Sequence, residues 1–226
     1  MRHRARTLLA VVPGWVSIVL VIAAGAWVKW AADAIAPHNS VSSRLAKPRL
    51  PISSLPRLPV MQLEFVRGAE DGRAILQVGT DAEEKNVAAV KTGNDLDTRH
   101  LIPRYAVLLV LLSLLIAQGS KSIGDLVFLA ALLATAVIAS ADLLENSGIA
   151  RILAAPADDD MTDRAAVMVS AAAFVKWTLL GLLLIYLGVV AWLGQSWRRW
   201  LMPVLFAVGL LLLAIVGRHA VERFLT

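Results

Sequence analysis

Apolar residues recur along this chain in runs that are too long for the strands or helices of a soluble core. Leu8 to about Val28, Leu101 to Ala117, Leu126 to about Ile149, Ala165 to Trp192 and Leu201 to Val216 are nearly free of charge. Each approaches or exceeds the roughly 17–25 apolar residues that carry a helix through about 30 Å of hydrocarbon. The pattern predicts an all-α membrane protein, a five-span helix bundle. Pro103 falls in the first turn of the second span, where a missing N–H costs little. Asp125 is positioned to cap the third.

Between the first two spans the pattern changes twice. Residues 34–60 hold five of the nine prolines together with Arg44, Lys47, Arg49 and Arg57. Proline at that density denies a helix its donors and favours extended chain, so a basic tether is expected. Residues 61–100 are mixed. Met61 to Phe65 alternates, and Gly68 to Gly72 could turn it back onto Arg73 to Val78 as a hairpin; short helices fit equally. Thr80-Asp81-Ala82-Glu83 has the spacing of a capping box. This stretch has too little apolar material for its own core and is expected to dock on the spans. The expected organisation is therefore span 1 as a retained signal anchor (residues 1–33), tether (34–60), a small extracytoplasmic insert (61–100) and four spans (101–226).

Composition agrees with the pattern. The chain has 226 residues, 58% hydrophobic and 17% charged, against about 25% charged in a typical soluble domain. Mean hydropathy is +0.69 and the pI is near 10.0. The net charge of +5 is scattered over loops, without the basic, aromatic-interleaved stripe of a nucleic-acid binder. Anionic headgroups are the expected counterpart, and nucleic acid is not an expected partner. The chain contains no cysteine, which removes disulfides, thiol catalysis and thiolate metal sites.

Short-loop charge sets the expected orientation. Arg2, Arg4, Arg6, Lys121, Arg198 and Arg199 fall on the amino-terminal side, and Arg151, Arg164, Arg218 and Arg223 fall opposite. The excess of Lys and Arg predicts an N-terminus on the cytoplasmic side.

Ionisable residues inside spans carry the candidate chemistry, because burying a charge at a helix centre costs roughly 2.5–3.5 kcal/mol even on an insertion scale. Asp142, Glu145 and Asn146 stand at i, i+3 and i+4, one helix face, continued backward by Ala139, Ile138 and Thr135. Lys176 lies in the next span. At 1.5 Å per residue it sits about 6 Å short of its span's centre, and Asp142 sits about 7.5 Å past its own. Since the two spans run in opposite directions, the depths match, and Lys176 is expected to pair with Asp142 or Glu145. Such a cluster reads as a structural ion pair, a binding or proton-handling site, or an acid–base site. Asp158, Asp159, Asp160 and Asp163 read as helix caps, with a hard-cation site as the alternative. Gly181 and Gly188 suggest a helix-contact stripe. Trp192, Trp197 and Trp200 around Arg198-Arg199 read as an interfacial belt. The sequence lacks a nucleophile elbow, a phosphate-cradling glycine loop and a His-Glu-x-x-His helix; no cofactor or metal is expected.

The Asp142-Leu-Leu-Glu-Asn146 string, the Lys176-Trp177 pair, and a Leu63-Glu64 segment ahead of Ile102-Pro103-Arg104-Tyr105 resemble a group of bacterial multi-pass membrane proteins with no assigned activity. The resemblance runs from about residue 60 to 190. It implies a shared helix bundle with polar residues at these places. The functional expectation is a non-enzymatic scaffold or accessory protein that binds membrane lipid, another membrane protein or a second copy of itself. The rival is a lipid- or small-molecule-handling protein, an enzyme or transporter, using Asp142, Glu145, Asn146 and Lys176.

Overall fold

The computed structural model describes residues 13–40, 63–119, 123–194 and 197–224, and among them there is no strand. The helices are α1 (Gly14–Ser40), α2 (Ala69–Leu76), α3 (Glu83–Leu96), α4 (Ile102–Ala117), α5 (Gly124–Ala154), α6 (Asp159–Leu193) and α7 (Leu201–Phe224). A π-turn, Asp97–Leu101, joins α3 to α4, and a 3₁₀ turn, Trp197–Trp200, precedes α7. Among the described residues five helical stretches are long and apolar enough to cross a membrane, as the apolar runs require.

Their ends differ from the sequence reading. Helix α1 continues to Ser40 with Pro37 inside it, so the segment expected to be tether from residue 34 is helical at its start. A proline this near the end removes few helical bonds. The Lys29–Asp33 pair, at 2.6 Å and one turn apart, supports the same stretch. Residues 41–62, the rest of the expected tether, lie outside the described residues. The second span starts earlier than Leu101, because Glu83 to Ala117 is one continuous helical stretch of 35 residues. Pro103 is therefore interior, and the π-turn accommodates it. Ile102 N–H bonds to the Asp97 carbonyl, five residues back. The wider turn loosens the backbone just ahead of the proline ring, which would otherwise press on the carbonyl four residues back. Asp125 lies within the first turn of α5 rather than before it.

Helices and turns stand over residues 63–78, the described part of the hairpin considered for residues 61–78. In α2 the buried positions are Ala69, Gly72, Ile75 and Leu76, a helical period rather than an alternating one. The expected capping box does not form, because α3 starts after Ala82, which has no side-chain oxygen to cap it, and Thr80 and Glu83 bond within the preceding turn instead. Glu83 accepts from the Gly79 N–H at 2.7 Å, and Thr80 Oγ1 accepts from the Ala82 N–H at 3.3 Å. Gln77, in the left-handed region at φ 57°, ends α2, and its N–H bonds to the Arg73 carbonyl.

The chain divides into two compact units. The first comprises residues 1–28, 104–139 and 176–226. Its core joins Leu109 and Ile116 of α4, Val127, Ala131 and Ile138 of α5, Leu183, Leu187 and Val190 of α6, and Leu205 of α7. Gly181 and Gly209 bring the backbones of α6 and α7 together, since a Cβ on Gly209 would lie 2.7 Å from the Gly181 carbonyl oxygen. Gly188 faces the start of α7 at ordinary contact distance, a Cβ there lying 3.4 Å from the Met202 carbonyl oxygen, so the expected glycine stripe is a helix contact.

The second unit comprises residues 29–103 and 140–175. Its core joins Leu63, Val66, Ile75, Leu76 and Val90 to Ile149, Ile152 and Leu153 of α5 and Ala165, Ala166 and Val169 of α6. Residues 63–96 thus borrow a core from the α5–α6 hairpin, as their small apolar content demands.

The acidic turn between α5 and α6 fastens this docking. Asp158 Oδ1 accepts from the Met161 N–H at 3.0 Å and caps α6. Asp159 pairs with Arg73 of α2. Asp163 Oδ1 accepts from the Ala69 N–H at 2.6 Å, capping α2 from a helix 94 residues away in the chain. Gly68 leaves room for that carboxylate, because a Cβ there would lie 2.8 Å from Asp163 Oδ1. Asp163→Ala should therefore cost about 1 kcal/mol, the usual loss of a helix cap. Limited proteolysis should then cut between residues 63 and 82 faster than in wild type; equal rates would remove the clamp from this account.

Candidate functional site

Helix α5 keeps one polar face inward for more than three turns. Thr135, Ile138, Asp142, Glu145 and Asn146 are buried, whereas Leu143 and Leu144 are exposed. The face read from i, i+3, i+4 spacing is the buried face, and the two leucines between its acids point away from it. Thr135 spends its hydroxyl on the Ala131 carbonyl at 2.8 Å, a satisfied intrahelical bond.

Asn146 is the best-defined member. Its Nδ2 donates to Asp97 Oδ2 at 2.7 Å and to Thr98 Oγ1 at 2.9 Å, both on the π-turn. Its backbone carbonyl accepts from Asn94 Nδ2 at 3.1 Å. One residue thus binds three side chains on the α3–π-turn segment. An amide has two N–H donors, and both are engaged. Asn94, Asp97 and Thr98 stand at i, i+3 and i+4, so one polar face of the α3–π-turn segment meets Asn146. A shift of one residue in either helix would separate all three bonds.

Asp142 and Glu145 belong to this unit and are 4% and 1% exposed. Glu64, also of this unit, is buried too. Lys176, the expected partner of the two acids, belongs to the other unit. It is buried there, with Nζ 4.8 Å from the centre of the Trp177 ring. Its ammonium is thus placed for a cation–π contact. A second buried cation of that unit, Arg104, sits 4.7 Å from the Trp27 ring. In the same unit Ser17 donates to Gln118 Oε1 at 3.1 Å.

Sequence reading missed Asn94, Glu64 and Arg104 as buried polar positions and did not single out Asp97 or the half-buried Thr98. The signal for Asn94, Asp97 and Thr98 is their i, i+3, i+4 spacing; it carries little weight in residues 61–100, which lie outside the apolar runs, where polar residues need no explanation.

No family model, curated protein or solved structure matches this chain.

Proposed function

We propose that this chain is a non-enzymatic scaffold or accessory protein of a bacterial inner membrane that binds a partner protein or lipid. In this reading the N-terminus is cytoplasmic and residues 61–100 are extracytoplasmic. The observation that carries the reading is the use to which Asn146 is put: both of its amide protons and its carbonyl are spent on the α3–π-turn segment. Asp158, Asp159 and Asp163 are spent likewise, on two helix caps and an ion pair. Polar groups engaged in joining helices set helix register and are poorly placed to take up and release a substrate. The rival, handling of a lipid or small molecule by Asp142, Glu145, Asn146 and Lys176, draws its support from the burial of four polar groups within apolar spans.

The absence of native cysteine allows a direct test. Cysteine introduced singly at Asp142, Glu145 and Lys176 should react slowly with a water-soluble, membrane-impermeant thiol reagent. Cysteine at exposed Glu84 should react fast. Fast labelling at any of the three buried positions would reveal a wet cavity and favour the rival reading.

A further inference from the structure

Over residues 160–174, helix α6 turns one face to its own unit and the other outward. Ala165, Ala166 and Val169 are buried in the core that holds residues 63–96. Asp160, Arg164, Val167, Ala171 and Phe174 are exposed, Val167 at 61% and Phe174 at 46%. Their steps of four, three, four and three residues keep them in one stripe on the other side of the helix.

Lipid does not account for the whole stripe. Helix α6 has 35 residues, about 52 Å at the helical rise, whereas the hydrocarbon layer is about 30 Å thick. Roughly 20 Å of helix therefore projects beyond it. Charge identifies the projecting end, because Asp159, Asp160, Asp163 and Arg164 all stand near the start of α6. Val167 lies about 12 Å from that start, so an apolar side chain is bare where no acyl chain covers it. Asp159 is engaged with Arg73, and Asp163 with the Ala69 N–H. Asp160 and Arg164 form no ion pair with each other or with another described residue.

An occupant must offer an apolar strip together with an acid and a base at matching spacing, and the same stripe on a second copy offers all three. Two copies inserted in the same sense are related by a twofold axis along the membrane normal. Their α6 helices then run parallel, and each residue of the stripe faces its counterpart. An arginine side chain reaches back one turn, about 6 Å, so Arg164 of each copy meets Asp160 of the other, twice in the dimer. Ala171, between Val167 and Phe174, has no bulk beyond Cβ and lets the backbones approach. We propose that this stripe of α6 is the interface of a parallel homodimer. The proposal names a partner for the scaffold reading above and rests on it.

The test uses the full chain, which has no native cysteine, in liposomes at low protein density. On mild oxidation Ala171→Cys should give a disulfide-linked dimer in about fivefold higher yield than Leu144→Cys, an exposed position on α5. Arg164→Asp or Asp160→Arg, each added alone to the Ala171→Cys chain, should lower that yield about tenfold, because like charges then face each other twice. Mixed in one membrane under different tags, the two charge variants should cross-link to each other at close to the original yield. Each then supplies the charge that the other has lost, and the recovery also shows that both are folded. Equal yields at positions 171 and 144 would mark random collision and overturn the interface, whether or not the charge variants fold. Charge variants that elute like the parent yet fail to pair with each other would overturn it too. Neither result bears on the labelling of positions 142, 145 and 176, by which the scaffold reading stands or falls separately.

Discussion

Leucine at position 209 is expected to abolish most of the folded protein. Helices α6 and α7 meet there through backbone. A Cβ on Gly209 would stand 2.7 Å from the Gly181 carbonyl oxygen, 2.8 Å from Ile185 Cγ1 and 3.2 Å from the Ile185 nitrogen. The approach is reciprocal, because a Cβ on Gly181 would stand 3.0 Å from the Gly209 carbonyl oxygen. A flexible side chain can swing aside from such an intrusion, but a carbonyl held in a helix cannot. The cost should reach or exceed the upper end of the ~1–3 kcal/mol typical of overpacking. Without a hydrophobic effect to drive helices together inside lipid, close packing is the principal attraction that the substitution removes. Gly25 of α1 is the matched control, since nothing lies within 4 Å of a Cβ built there. Gly25→Leu should change stability by less than about 0.5 kcal/mol. Thermal melting followed by size exclusion in detergent separates the two, and equal behaviour of both variants would refute the contact.

The second large effect is expected at Asn146. Asn146→Leu is nearly isosteric and removes both donors to Asp97 and Thr98. Deleting one partner of a buried hydrogen bond typically costs about 1–3 kcal/mol, although polar contacts between membrane helices average nearer 0.6 kcal/mol. Two donors on one buried residue place the expected loss at about 2 kcal/mol. Asn146→Asp should be worse than leucine, because it turns an oxygen toward the Asp97 carboxylate where an N–H stood 2.7 Å away. Thr98→Val should be milder, since Asp97 keeps its bond. The order Asp, Leu, Val from most to least destabilised follows from the geometry; a leucine variant as stable as wild type would show the network to be incidental.

Much of this arrangement was legible in one dimension. The Asp142, Glu145, Asn146 face is buried as its spacing required, and Gly181 and Gly188 lie in a helix contact. The second span was misjudged at its start because hydropathy marks the apolar part of a helix and is blind to its polar extension. Glu83 to Asp97 is helical and half polar, and Pro103 looked like a boundary because the π-turn that accommodates it leaves no mark in hydropathy. The tether's first residues were misjudged for a related reason: proline near a helix end costs one or two bonds, which the preceding helix can absorb.

By itself the sequence determined that five stretches are fit to cross a bilayer, and which face of α5 would avoid lipid. Both depend on apolar length and on a 3.6-residue period, properties that a chain carries before it folds. Tertiary structure alone decided the partners: that Asn146 ties to Asn94, Asp97 and Thr98, that Asp163 caps α2 across 94 residues, and that α6 meets α7 at bare backbone. Hydrogen bonds and close packing act over about 3 Å between groups far apart in sequence, and no local pattern specifies which pairs will meet.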